Sequence, residues 1–264
     1  MTIAALAIDL DETLVRSDGT VSARTLDRLQ AWAERGRHIV IATGRSPRTT
    51  AEIPPMLHAF PWVCYNGGIV FDRHNGTPER KVLYRAEIPA DDVAAFLHAY
   101  VTLSPRSWVG MESDDRSFFT KGDLQSEPRY DTTIVDDIRS VAQRPAAKLY
   151  LPLDRYRAVM DEMPPLPRHV RVLTSDKYNL AQIMPADVSK AAGLAVVADH
   201  YGLDLHEFMA FGDDTNDLEM IQEAGVGVAM ENAVPQLKAV ANRVTLSNDD
   251  DGVAVVVEEL LTHA

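Results

Sequence analysis

From Ile3 to Tyr65, hydrophobic positions alternate between short continuous runs and helical spacing. Ile3 to Ile8 is a continuous apolar run, which suits a strand buried on both faces. Ser22 can cap a helix whose apolar positions include Leu26, Leu29 and Ala33, and Gly36 can end it. His38 to Ala42 reads as a second buried strand. Pro47 can open a short helix that Pro54 and Pro55 must stop, and Trp62 to Tyr65 reads as a third strand. The β-α-β-α-β order predicts a parallel sheet with helices on both faces.

The pattern then changes. Ile69 to Arg73 and Lys81 to Arg85 flank His74-Asn75-Gly76, which reads as a hairpin. Val93, Phe96, Leu97, Tyr100 and Val101 follow helical spacing. Ser107 to Met111, Arg116 to Thr120, Ala147 to Leu151 and Val170 to Leu173 predict strands, with a helix through Tyr156, Val159 and Met160. This mixture predicts a separate α+β domain over residues 86–184. From Asp187 the first pattern returns. A helix carries Leu194, Val197 and Tyr201, a strand runs from Phe208 to Gly212, and a helix passes through Leu218 and Ile221. Val226 to Met230 and Val244 to Leu246 predict further strands, and a final helix carries Val253, Val256 and Leu260. The fold class is therefore α/β: a doubly wound, Rossmann-like parallel sheet built from residues 1–85 and 185–264, interrupted by a smaller α+β domain. Ligands in such sheets bind beyond the C-terminal ends of the strands.

The chain has 264 residues, enough for both domains to bury a core, and its 46% hydrophobic and 25% charged residues are ordinary for a folded protein. The net charge of −13 repels nucleic acid and anionic membranes, so neither is an expected partner. It repels a phosphorylated substrate too, so an anion site here needs a local cation, either a metal or a Lys or Arg. Cys64, the single cysteine, lies in the apolar run Trp62-Val63-Cys64-Tyr65 and reads as a buried thiol. The first residues, Met1 to Leu14, lack a basic segment, and Asp9 and Asp11 break their apolar stretch. No run approaches the ~20 apolar residues of a membrane helix. A cytoplasmic location is the expectation.

Four segments at predicted strand ends could carry chemistry. Asp9-Leu10-Asp11-Glu12-Thr13 places two carboxylates close together, which invites a divalent cation, or a nucleophile beside an acid/base; a surface acidic loop would read the same way. Thr43-Gly44-Arg45 offers a hydroxyl and backbone N–H groups for phosphate oxygens, or an ordinary strand-to-helix turn. Lys190 sits at a helix start, where the helix dipole disfavours a cation, so it wants an anionic partner or solvent. Gly212-Asp213-Asp214-Thr215-Asn216-Asp217 supplies hard oxygen ligands suited to Mg²⁺, with at least one acid serving as a helix cap.

Taken in order, these motifs resemble those of the haloacid dehalogenase superfamily of phosphotransferases, and more narrowly its Cof-type phosphatases with a type-IIB (C2) cap. Asn66-Gly67-Gly68 also resembles the family's loop after the third strand. The resemblance makes residues 86–184 a cap that sets substrate specificity, because the insertion falls between Thr43 and Lys190. It implies that Asp9 is a nucleophile forming an aspartyl-phosphate and that Asp11 is the general acid and later the base. It implies a Mg²⁺ cofactor held by Asp9, the backbone carbonyl of Asp11 and Asp213, with Asp217 in support. Thr43, Gly44, Lys190 and Asn216 would hold the phosphoryl group. Glu12 stands where the family often has glycine. Within the cap, Trp108, Met111, Arg116 and Phe118 are candidate contacts for the leaving group, Trp108 and Phe118 being alternatively cap core.

The expected activity is hydrolysis of a small phosphorylated metabolite: a sugar phosphate, a phosphorylated cofactor or a nucleotide. The alternatives are a sugar phosphomutase on the same scaffold and, further away, a phospho-accepting receiver module. A receiver also uses acids, a Thr and a Lys on a parallel sheet, but it has no use for the inserted domain. A monomer or small homo-oligomer fits equally well.

Overall fold

The computed structural model describes residues 3–74, 80–124 and 132–262. The chain divides into two compact units, one of Met1–Arg45, Thr50–Arg85 and Ser189–Ala264, the other of Ser46–Thr49 and Ala86–Val188. In chain order the strands are β1 (Ala5–Ile8), β2 (His38–Ala42), β3 (Trp62–Cys64), β4 (Ile69–Phe71) and β5 (Val82–Arg85). The second unit contributes β6 (Val109–Ser113), β7 (Arg116–Thr120), β8 (Thr133–Ile134), β9 (Lys148–Pro152), β10 (Val170–Ser175) and β11 (Leu180–Pro185). The chain then adds β12 (Phe208–Gly212), β13 (Val226–Ala229) and β14 (Arg243–Val244).

In the first unit the sheet order is β14-β13-β12-β1-β2-β3-β4-β5. The pairs from β14 to β3 are parallel. β1 sits between β2 and β12, with Ala5 paired to both His38 and Phe208. All four β1 residues are buried, as the two-sided cover of a doubly wound sheet requires. The helix Ala23–Glu34 starts where Ser22 Oγ accepts the Thr25 N–H at 3.0 Å, and Gly36 follows its end at φ +74°. Its Trp32 is fully buried and its indole N–H donates to the His38 carbonyl at 3.0 Å, fixing the helix against β2.

At one edge of the parallel sheet, β4 pairs antiparallel with both β3 and β5. The hairpin read from the sequence corresponds to the β4–β5 pair, and its turn residues Asn75 and Gly76 lie outside the described residues. A further helix, Pro235–Val240, begins with proline at a position where no N–H is needed and carried too few periodic residues to be read in advance.

The second unit has a sheet of order β10-β11-β9-β6-β7-β8, antiparallel except where β7 meets β8. Its hydrophobic cluster includes Val109, Met111, Phe118, Leu149, Leu151 and Ile183 from the strands, and Val93, Phe96, Leu97 and Tyr100 from the helix Ala90–Leu103. Met111 and Phe118 are register partners, and both side chains join this cluster, at 0% and 7% exposure. For Met111 this corrects the expectation of a ligand contact; for Phe118 it bears out the alternative, cap core. Trp108 is different. It packs on Phe119 and Tyr150 at centroid distances of 5.7 and 6.2 Å, and none of the three belongs to that cluster. Arg116 is exposed at the start of β7. Among the described residues, no helix is long and apolar enough to cross a membrane.

Candidate active site

The C-terminal ends of β1, β2 and β12 lie side by side in the first unit, and the residues that follow them form the site. Asp9 directly follows β1, and its N–H continues the parallel ladder onto the Phe211 carbonyl at 3.1 Å. Its carboxylate is nearly buried, 4% exposed. Lys190 begins the helix Lys190–Tyr201, capped by Ser189 Oγ on the Ala192 N–H at 3.0 Å. Its fully buried ammonium donates to Asp9 Oδ1 at 2.5 Å and to Asp217 Oδ1 at 2.6 Å. The anionic partners that a lysine at a helix start requires are these two carboxylates.

Asp217 is itself held from below. Its Oδ2 accepts the N–H groups of Asp213 at 3.0 Å and Asp214 at 3.2 Å. A Cβ on Gly212 would fall 2.5 Å from Asp217 Cγ, so only glycine lets this side chain fold back under its own loop. Asp213 is 2% exposed and accepts the Thr13 hydroxyl at 3.2 Å. Asp214 sits at the N-cap of the turn Thr215–Asp217, the capping place the sequence allotted to one of these acids.

Electrostatics make this a strained group of charges. Burial pushes the Asp9 carboxyl well above the usual carboxylate range; Lys190 opposes this, and Asp217, Asp213 and Asp11 add to it. Burial works to lower the Lys190 ammonium, but Asp217 and Asp9 outweigh it and raise its pKa. The lysine is therefore charged, and it is one cation among several buried acids. A nucleophilic, ionised Asp9 needs a second positive charge. Carboxylate oxygens of Asp9, Asp213 and Asp217 lie within 4.8 Å of one another, and this compact set of hard oxygen donors fits Mg²⁺.

Asp11 does not join that set through its carboxylate. Arg45, which follows Thr43-Gly44, forms a two-pronged pair with it: Nε to Oδ2 at 2.9 Å and one terminal nitrogen to Oδ1 at 2.6 Å. The Asp11 side chain is 45% exposed while the Arg45 side chain is 12% exposed. Arg45 stood in a motif read from the sequence, but its partner could not be read there.

The remaining candidates cluster at the end of β2. Thr43 is fully buried, and its Oγ1 accepts the Arg45 N–H at 3.1 Å. Gly44 lies against the Asn66 side chain. Asn216 donates through Nδ2 to Asn66 Oδ1 at 3.0 Å. Thus Thr43, Gly44 and Asn216 are joined through Asn66, a residue to which the sequence reading gave no role.

A family model described as haloacid dehalogenase-like hydrolase matches residues 6–257. The 5-amino-6-(5-phospho-D-ribitylamino)uracil phosphatase YitU of Bacillus subtilis (strain 168) is 30% identical over 272 residues, covering 96% of this chain and 96% of its own. The putative phosphatase YkrA of the same organism is 30% identical over 264 residues, covering 96% and 95%. Among solved structures, TM0651 from Thermotoga maritima superposes with a TM-score of 0.79 at 27% identity, over 98% of this chain and 97% of its own. The subclass IIB sugar phosphatase BT4131 has the same fold, with a TM-score of 0.79 at 22% identity over 97% and 98% of the two chains. With its carboxylates and lysine gathered at the strand ends and the family pattern running through nearly its whole length, the chain belongs to the haloacid dehalogenase-like hydrolases, as a phosphatase with the subclass IIB fold.

Proposed function

We propose that this protein is a Mg²⁺-dependent phosphomonoester hydrolase of small phosphorylated metabolites, working through an aspartyl-phosphate on Asp9. The observation that carries this reading is the buried Asp9 carboxylate, in contact with Lys190 and within 4.8 Å of the oxygens of Asp213 and Asp217. Asp9, Asp213 and the Asp11 carbonyl are the proposed ligands of the ion, with Asp217 beside them; when bound, Mg²⁺ neutralises charge so that one anion can approach another.

Asp9 attacks phosphorus and the ester oxygen leaves with a proton from Asp11. Water, deprotonated by Asp11, then cleaves the acyl-phosphate and frees Asp9 and inorganic phosphate. Lys190 and Thr43, with the N–H of Gly44 and the amide of Asn216, stabilise charge on the other phosphoryl oxygens. The Arg45 pair engages both carboxylate oxygens of Asp11. Each proton transfer assigned to Asp11 therefore requires one of those oxygens to leave the pair.

Residues 86–184 act in this proposal as the cap that selects the leaving group, within a core of residues 1–85 and 185–264. The substrate is a sugar phosphate, a phosphorylated cofactor or a nucleotide. A relative named for a phosphoribitylamino-uracil substrate makes that compound the first to test. The experiment is release of inorganic phosphate from p-nitrophenyl phosphate, then from a panel of these esters, with Mg²⁺, with EDTA, and with Mg²⁺ restored. Turnover that EDTA abolishes and Mg²⁺ restores is the expected result. Turnover indifferent to EDTA contradicts the metal, and no phosphate release from any ester contradicts the activity. Isomerised sugar phosphate without free phosphate would mark a mutase instead.

A further inference from the structure

The loop after β3 is strained in a way the phosphatase reading leaves unexplained. Tyr65, Asn66 and Gly67 have φ values of +52°, +56° and +105°. Two successive non-glycine residues in the left-handed region are a strained arrangement, since Cβ crowds the backbone there. Yet the segment is buried, with Tyr65 at 4% and Asn66 at 1% exposure.

The strain places one short loop against three segments of the phosphate site. The Asn66 N–H donates to the Thr43 carbonyl at 2.9 Å, and the Tyr65 N–H to the Arg45 carbonyl at 2.9 Å. A Cβ on Gly67 would lie 2.1 Å from the Ser189 carbonyl oxygen, so the loop rests directly on the residue before Lys190. The Asn66 side chain turns inward, its Oδ1 3.1 Å from where a Gly44 Cβ would stand, and there it accepts Asn216 Nδ2 at 3.0 Å. A primary amide carries two N–H bonds on one nitrogen. With one held by Asn66, the other has a fixed direction.

We propose that Asn66 is a positioning residue for phosphate binding: its side-chain carbonyl orients the Asn216 amide, so that Asn216 meets the phosphoryl group with a fixed N–H. The left-handed backbone turns the Asn66 side chain inward, and asparagine tolerates that conformation better than most residues with a side chain. This inference rests on the phosphatase reading and on the phosphate-holding role proposed there for Asn216.

The test measures the cost of N216A in three backgrounds: wild type, Asn66→Gly and Asn66→Asp. Glycine fits φ +56° and removes only the amide; aspartate also adopts this backbone and keeps an oxygen to accept from Asn216. Readouts are KM and kcat for p-nitrophenyl phosphate, and competitive inhibition by inorganic phosphate, all with Mg²⁺. A hydrogen bond to a charged group is worth about 1.5 kcal/mol, so losing it weakens binding about tenfold. N216A in the wild type should raise KM and the phosphate inhibition constant together by about tenfold, with kcat moving much less. N66G should do the same with an unchanged or higher melting temperature, and adding N216A to it should cost nothing more. In the N66D background N216A should still weaken binding. N216A costing as much in N66G as in wild type, or costing nothing in wild type, overturns the proposal; so does N66G moving kcat and not KM. If N66G fails to fold, loss of the N216A effect in the N66D background overturns it equally. Failure of the wild-type protein to turn over p-nitrophenyl phosphate at all would instead refute the phosphatase reading.

Discussion

Replacing Asp217 by Asn probes how tightly the buried charges depend on one another. Asp217 is fully buried, gives Oδ1 to Lys190 at 2.6 Å, and gives Oδ2 to two backbone N–H groups at 3.0 and 3.2 Å. An asparagine has one acceptor oxygen. If that oxygen serves the backbone pair, its amide N–H₂ faces the ammonium of Lys190, donor against donor. Breaking a buried ion pair from one side costs about 3–5 kcal/mol. Lys190 keeps Asp9, so the lower end applies, about 3 kcal/mol. A chain of this size loses roughly 2–4 °C per kcal/mol, giving a fall of about 6–12 °C. Calorimetric melts in EDTA read the protein's own charges without a metal to compensate. The double-mutant cycle with Lys190→Met should show coupling, with K190M costing less in the D217N background than in wild type. A fall under about 2 °C, or strictly additive effects, would refute the reasoning that these groups stabilise one another.

Asp11→Asn should slow hydrolysis of alkyl phosphates about 10²–10⁴-fold, because an alkoxide must be protonated as it leaves, and p-nitrophenolate need not be. With p-nitrophenyl phosphate the same variant should show a burst of about one p-nitrophenol per site and then slow turnover; equal damage on both esters without a burst contradicts the acid/base assignment. Trp108→Ala should reorder the substrate panel while sparing p-nitrophenyl phosphate, and uniform loss on every ester would make Trp108 structural. Asp251 ties Arg16 to the C-terminal helix, with Arg16 donating at 2.7 Å. Burial works to raise its carboxyl, but bonds from Ser22 and Arg16 and the charges of Arg16 and Arg24 outweigh it and hold the pKa below the ordinary 3.8. Its stabilisation is therefore full above that value and lost as pH falls through the lowered one. Asp251→Asn should cost about 1 kcal/mol at neutral pH, with the gap to wild type closing below the ordinary carboxylate range; a gap unchanged in acid contradicts this.

The core strands were legible because a strand buried on both faces is a continuous apolar run, as in β1, β2 and β12. Polar residues that abruptly end such runs, such as Asp9, Thr43 and Asp213, were legible for the same reason. What lies between side chains was not. The Asp11–Arg45 pair joins residues 34 apart, and nothing in either segment names the other. Asn66 was visible as part of a loop, but its inward turn depends on a positive φ that sequence pattern does not encode. β11 went unread because Gln182 interrupts its apolar run; the structure buries that residue, 8% exposed, and gives it Lys148 as a donor at 3.2 Å. Met111 was placed on the wrong face because alternation separates two faces without saying which one the helix Ala90–Leu103 covers.

The central claim is a covalent phosphoryl group on Asp9, and borohydride trapping tests it most directly. Protein mixed with p-nitrophenyl phosphate and Mg²⁺ is quenched in acid within the first turnover, reduced with borohydride and mapped by peptide mass spectrometry. An aspartyl-phosphate is reduced at its acyl carbon, so position 9 should read as homoserine, most strongly in the D11N variant, where the second step is slowed. The D9N variant should show neither reduction nor turnover. Reduction at another acid, or rapid turnover by the D9N variant, would contradict the account.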